Sequence, residues 1–218
     1  MKKLLLLLSI CGLSLGASAQ QSVDGVRSST DYAPSTSDSR NNGFGIKGGF
    51  NLANVYGDSK STLVNRDNLN TFMAGIYTQF GVTDKFSVQP ELLYSRKGYR
   101  NQVNSIGTNT PETRLDYVQV PVLLVYNFLD NVSVHVGPQV SLLTKAKNSI
   151  QDVSIRTAGY HSLDYGVVGG LEARVGPARV GARYDLGLAK IRRESVFPGA
   201  SDLHNQVFQV YVGVGFTN

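Results

Sequence analysis

The chain has 218 residues, with 21 basic and 16 acidic, a formal charge of +5, 23 glycines, 11 tyrosines, 9 phenylalanines and no tryptophan. So small a basic excess is no electrostatic footprint for nucleic acid, and a single cysteine, Cys11, excludes a disulfide framework or a multi-cysteine metal site. The length suits one domain with its own core.

The first twenty residues read MKKLLLLLSICGLSLGASAQ. Lys2 and Lys3 precede a short apolar run, and Ala17-Ser18-Ala19 offers small residues for cleavage, so 1–19 is expected to be a secretory signal peptide. Cys11 leaves with it, and the basic excess falls to about +3. A lipoprotein reading of Cys11 is disfavoured by the bulky Ile10 directly before it. Residues 20–42 are rich in Ser, Asp and Asn without apolar periodicity, and are expected to form a flexible periplasmic tether. The remainder, 43–218, is expected to be one domain.

From Gly43 onward, eight segments alternate with period two, the mark of strands with two unlike faces. The first, 43–53, sets Phe44, Ile46, Phe50 and Leu52 against Lys47 and Asn51. The second, 71–81, sets Phe72, Ala74, Ile76 and Phe80 against Tyr77 and Gln79. The third, 85–96, sets Phe86, Val88, Leu92 and Tyr94 against Ser87, Gln89 and Glu91. The fourth, 115–128, sets Val118, Val120, Val122, Leu124 and Tyr126 against Tyr117 and Gln119. The fifth, 131–144, sets Val132, Val134, Val136, Val140 and Leu142 against Ser133, His135, Gln139 and Ser141. The sixth, 163–175, sets Leu163, Tyr165, Val167 and Leu171 against Asp164, Glu172 and Arg174. The seventh, 178–189, sets Val180, Ala182, Tyr184 and Leu186 against Arg179, Arg183 and Asp185. The eighth, 206–216, sets Phe208, Val210, Val212, Val214 and Phe216 against Gln209 and Tyr211.

Tight turns follow the second, fourth and sixth segments, and long connections follow the first, third, fifth and seventh. Four long loops are unusual in a compact soluble domain. Outer-membrane barrels have this asymmetry, and strands of this length span a bilayer when tilted. The polar faces carry Ser, Gln, Gly and Tyr with charges gathered on two strands, which suits a narrow lumen better than a solvated exterior. Phe80, Phe86, Phe128 and Phe216 fall at the short-turn ends, where an interfacial girdle belongs. The expected fold is therefore all-β: an eight-stranded antiparallel up-and-down transmembrane β-barrel, with both termini periplasmic. Pro90, Pro121 and Pro138 interrupt three consecutive segments, and each is expected to mark a bulge or a missing ladder bond.

The stretches VQPELLYSRKG, LDYVQVPVLLVY and VGPQVSLL, with Gly-rich later strands and a Phe-ended last one, resemble the PorT-like outer-membrane β-barrel family of Bacteroidetes-type Gram-negative bacteria. The resemblance covers about 43–218. It implies a small eight-stranded barrel and an outer-membrane location, and it implies no activity. The founding member is linked to protein secretion.

Two groups of residues are candidate sites. Lys47, Glu91, Glu172, Arg174, Arg179, Arg183 and Asp185 lie on polar faces and are expected to form a charge network in the lumen. A Gly176-Pro177 turn would set Arg174 opposite Arg179, and Glu172 between them would relieve the repulsion. Arg96, Lys97, Arg100, Lys190, Arg192 and Arg193 fall at the bases of long connections and are expected to contact lipid phosphates. The expected partners are outer-membrane lipid and lipopolysaccharide, together with an envelope protein that the sequence does not identify. No cofactor is expected: His161 and His204 have no metal-ligand spacing, and no Gly loop is placed to cradle phosphate. Three functions fit: a non-enzymatic barrel presenting its loops to a partner or ligand, a transport or secretion component with a narrow gated pore, or a lipid-modifying enzyme using His135 with Ser133 or Ser141.

Overall fold

The computed structural model describes residues 42–57, 66–101, 112–148, 152–153, 159–191 and 203–216. The expected signal peptide, and the expected tether apart from Asn42, lie outside the described residues.

Ten strands form one sheet: β1 (Gly43–Tyr56), β2 (Arg66–Asp67), β3 (Leu69–Gly81), β4 (Phe86–Asn101), β5 (Glu112–Asn127), β6 (Val132–Asn148), β7 (Asp152–Val153), β8 (Leu163–Val175), β9 (Ala178–Gly187) and β10 (His204–Phe216). The two-residue strands β2 and β7 only extend the ladders of β4 and β6. The other eight pair antiparallel with their chain neighbours, and β1 pairs β10 from Phe44↔Phe216 to Tyr56↔His204. That last pairing closes the sheet into an eight-stranded barrel without a free edge. Among the described residues no helix is long and apolar enough to cross a membrane.

The faces sort as the alternation requires. Phe50, Ile76, Leu92, Val136, Leu171 and Val212 are exposed on the outside, whereas Lys47, Glu91, Gln119, Glu172 and Gln209 are buried inside. A water-soluble barrel would have the opposite polarity. Along β6 the apolar outward run from Val132 to Leu142 rises about 25 Å at ~3.3 Å per residue and a tilt near ~40°, the height of a hydrocarbon band. At the short-turn end this band is edged by Phe44, Phe80, Phe86, Phe128 and Phe216, all exposed. The Phe44 and Phe216 rings meet at a tilt with centres 5.3 Å apart, and those of Phe86 and Tyr126 at 4.9 Å. The tightest turn, Gly176-Pro177, has Gly176 at φ 58°, a left-handed conformation that glycine adopts without strain.

Three strands run further than the alternation of apolar residues suggested. β4 continues to Asn101 rather than ending near 96, β5 begins at Glu112 rather than 115, and β6 reaches Asn148 rather than 144. These extensions carry Arg, Lys and Glu outward, where a strand projecting beyond a bilayer meets water, so they lack the apolar half of the pattern.

The prolines interrupt pairing without shifting it. Between β4 and β5 the register runs Pro90↔Val122 and resumes at Leu93↔Gln119. Between β5 and β6 it runs Pro121↔Gln139 and resumes at Leu124↔Val136. Proline has no N–H to give the ladder. The skipped positions are Pro121 opposite Glu91 in the first gap and Pro138 opposite Val122 in the second, while Pro138 keeps its pair with Val167 on β8. The bulge expected at the prolines is instead found nearer the long-connection end, between Asp116 and Tyr117.

Candidate functional site

The barrel interior is filled by side chains from all eight long strands, and four tiers of polar contacts follow one another along it. Nearest the short turns, Glu172 of β8 accepts from Arg179 Nη1 at 3.0 Å and from the Tyr211 hydroxyl at 2.9 Å. Arg179 also donates to Gln79 at 2.9 Å, and Gln79 donates to Ser87 at 2.6 Å. Arg174 stands opposite Arg179 in the register. Its Nε lies 3.8 Å from Glu172, and it donates to Asn127 at 2.8 Å. The carboxylate thus sits between two guanidinium groups.

In the next tier, Glu91 of β4 takes Lys47 Nζ at 2.7 Å on one oxygen and Arg183 Nη1 at 2.7 Å on the other. Gln89 adds a third donor at 2.7 Å. Arg183 thus pairs across the lumen with Glu91, not with Glu172 of the adjacent strand. Arg183 continues through Gln209 at 2.5 Å, and Gln209 donates to Asn51 at 3.0 Å. Lys47 lies 4.8 and 4.6 Å from the ring centres of Tyr77 and Tyr211. Those two rings fit because glycines face them. A Cβ on Gly45 would stand 2.4 Å from the Tyr77 hydroxyl, and one on Gly181 would stand 2.3 Å from Tyr211 Cζ.

The third tier is centred on Asp185, which pairs with Lys97 at 2.8 Å and accepts from Gln119 at 3.0 Å and from Gln139. In the fourth, Asn205 donates to Asp164 at 2.8 Å and to the Tyr117 hydroxyl at 3.2 Å. An apolar cluster of Val55, Tyr99, Leu115, Tyr117, Leu143, Ala146, Tyr160, Ile191 and Leu203 then caps the long-connection end. Lys47, Lys97, Arg174, Arg179 and Arg183 stand against Glu91, Glu172, Asp164 and Asp185, so the tiers hold five cations and four carboxylates. The Lys47 and Glu91 side chains are 1% and 0% exposed. Eight strands leave an interior just wide enough for side chains to fill.

Lys97 is not at the lipid interface. It lies in the lumen with a fully buried side chain, its ammonium 5.4 Å from the Tyr117 ring centre. The reason is parity: Glu91 and Lys97 are six residues apart on one face of a strand that continues past 96. The same parity places Asn51, Gln119, Gln139, Asp164, Asn205 and Tyr211 inside. None carries a motif of its own, so a reading centred on charged groups overlooks most of them.

Arg96 and Arg100 do face outward at the long-connection end. Arg96 grips Asp116 with Nε at 2.6 Å and Nη2 at 3.2 Å. Arg100 pairs with Glu112 at 2.6 Å, and Glu112 also takes Arg114 at 2.8 Å. Lys190 is exposed just beyond β9. Arg192 and Arg193 lie outside the described residues. His135 is buried between Val125 and Gly170 on the neighbouring strands, and its Nε2 has no hydrogen-bond partner. Ser133 donates to the Glu172 carbonyl at 3.4 Å, and Ser141 accepts from Gln119 at 3.2 Å. Neither bond is the nucleophile–base contact that acyl transfer needs. Among the described residues no group of His, Cys, Asp and Glu could hold a metal ion.

Residues 19–193 match the family described as outer membrane protein beta-barrel domain. The chain belongs to this outer-membrane β-barrel family. No curated protein sequence matches the chain. Among solved structures, this outer-membrane barrel is similar to Neisserial surface protein A, at 16% identity and a TM-score of 0.52, over 79% of this chain and 97% of that one. It is also similar to Ail, the attachment invasion locus protein of Yersinia pestis, at 14% identity and a TM-score of 0.48, over 80% and 99%. At these identities the likeness is one of fold.

Proposed function

We propose that this outer-membrane barrel is a non-enzymatic, PorT-like protein with a sealed lumen. Its biological work is done at the long-connection end, presented outward, where it meets lipid and an envelope partner. In this reading the signal peptide 1–19 directs export, 20–42 is a periplasmic tether, and both ends of 43–218 face the periplasm. The observation that carries the reading is the burial of Lys47 and Glu91 at mid-lumen. A continuous water path would wet such groups, whereas here Lys47, Lys97, Arg179 and Arg183 each pair with a carboxylate and an apolar cap lies above. Ionic side chains packed this way give closure and rigidity, not passage.

The second reading is a narrow gated pore for transport or secretion. The apolar cap is the observation in its favour, because hydrophobic constrictions gate channels by dewetting. Planar-bilayer recording separates the two. The sealed barrel gives no steady conductance, with or without Glu172→Gln. Steady channels from the native protein whose amplitude changes on Glu172→Gln would establish the pore and reject the seal.

A further inference from the structure

The lumen accounts for most of the buried charge, but the outer wall carries a second arrangement. Cross-strand rows on β4, β5 and β6 stack at the long-connection end: Arg96, Asp116 and Lys145; then Gly98, Arg114 and Lys147; then Arg100 and Glu112. The side chains of β4 and β5 in these rows have the outward parity, and the extra residue Thr144 brings Lys145 and Lys147 of β6 to the same face. The Arg96, Arg100 and Arg114 side chains are 25%, 39% and 50% exposed, and Lys145 and Lys147 are exposed. Five cations therefore stand with two carboxylates on three adjacent strands.

Their height matters as much as their charge. The row directly beneath is Tyr94, Val118 and Leu142, the upper edge of the apolar band. Arg96 lies 5.3 Å over the Phe72 ring and donates to the Tyr94 hydroxyl at 3.4 Å. Among the described residues the opposite wall, β1, β9 and β10, carries mainly uncharged polar and aromatic groups at this level. There Asn54 bonds Asn68 at 2.9 Å, Tyr184 bonds Gln206 at 3.0 Å, and Tyr56 stacks on His204. Asp116 and Glu112 are not competing ligands. Each clamps guanidinium groups into a fixed outward-facing fork, and arginine has five N–H donors, so donors remain for an anion.

We infer that the β4–β5–β6 wall is a binding site for the phosphate groups of a lipid headgroup, with Arg114, Lys145 and Lys147 as its principal contacts. Rows about 7 Å apart along the strands and about 5 Å apart across them form a patch wide enough for one or two phosphates. A lipid is favoured over a free anion because the acyl chains of anything held here lie on Tyr94, Val118 and Leu142. The inference rests on the proposal that this end of the barrel stands at a membrane surface, but its test is independent of orientation and conductance.

The test is native mass spectrometry of the full chain released from detergent, titrated with diphosphorylated lipid A and with its fully dephosphorylated form. The native protein should retain the phosphorylated lipid and discriminate against the other. Arg114→Gln/Lys145→Gln/Lys147→Gln leaves the Arg96–Asp116 and Arg100–Glu112 pairs in place, and should bind roughly a hundredfold more weakly at about fivefold per cation. Lys145→Gln/Lys147→Gln leaves all three arginine–carboxylate pairs of the patch in place, and should show roughly a twenty-fivefold loss on the same scale. Unchanged binding by either variant would overturn the site, as would equal retention of the dephosphorylated lipid. Displacement of the lipid by millimolar inorganic phosphate would also refute it, by reassigning the patch to a soluble anion.

Discussion

Replacing Glu91 by glutamine tests the interior most directly. The side chain keeps its shape but loses the charge that holds Lys47 and Arg183 at 2.7 Å each. The new amide has one acceptor for three donors, since Gln89 also points at this carboxylate, and its NH2 group must face a cation. Breaking a buried ion pair by removing one partner costs about 3–5 kcal/mol, because the remaining charge is stranded. Here two are stranded, which argues for the upper part of that range. The Tyr77 and Tyr211 rings already flank Lys47, and a desolvated cation–π contact offsets about 2 kcal/mol. A net loss of about 3 kcal/mol is expected, read as a lower urea midpoint for unfolding from detergent micelles or vesicles, with folded and unfolded forms separated by heat-modifiable gel mobility. Adding Lys47→Met should recover part of the loss, since the two residues form one network. If Glu91→Gln unfolds within about 0.5 kcal/mol of the native protein, the size of an ordinary surface substitution, then water already reaches Lys47 and Arg183. The lumen would not be dry, and the sealed-barrel proposal would fail with it.

Two further outcomes test the outer face and the packing. Ile76→Arg, at mid-height on β3, should destabilise the membrane-inserted barrel by about 2–4 kcal/mol, whereas Asn70→Arg on the same outward face near the long-connection end should cost no more than about 1 kcal/mol; equal costs would mean that the apolar band has been misplaced. Gly181→Ala should displace Tyr211 and break its 2.9 Å bond to Glu172, at about 3 kcal/mol from overpacking and the lost charge-assisted bond. The same change in a Tyr211→Ala background should be nearly neutral, and an unchanged cost there would show that the glycine serves the backbone instead.

The fold was legible because a membrane barrel writes both its faces into the sequence. Phe50 and Asn51, or Leu92 and Glu91, are neighbours in the chain and belong to different solvents in the structure, so alternation identifies strands and parity assigns sides. Which side is lipid followed from what the polar face contains: Gln119, Gln139 and Ser141 can satisfy one another in a narrow interior. The strand ends were less legible. Beyond the band, outward residues such as Arg96, Arg100 and Arg114 are charged, and a strand that is polar outside resembles a loop. Lys97 was misassigned for that reason, although its parity matched Glu91. Pairing across the lumen was not legible at all. Arg183 could reach either Glu91 or Glu172 by strand logic, and the choice depends on barrel diameter and on where Tyr211 packs.

The prolines and the charged rim together say where this barrel is free to vary. Pro121 and Pro138 each fall in a gap in the ladder that keeps the register, because the lumen contacts around the gaps fix it. Glu91 is held by Lys47 and Arg183, and Gln119 by Ser141 and Asp185; a one-residue slip would turn each of these groups outward into lipid. The interior network therefore does for register what unbroken backbone bonding does in an ordinary sheet. That frees β4, β5 and β6 to run beyond the band and to bulge at Asp116/Tyr117. The extra residue is Thr144 of β6, left over between the pairs Asp116↔Lys145 and Tyr117↔Leu143, and it brings Lys145 and Lys147 to the outer face that Val140 and Leu142 occupy lower down. A single irregularity so adds two cations to the outer wall, and the strands that carry the proposed phosphate site are those whose register the lumen secures.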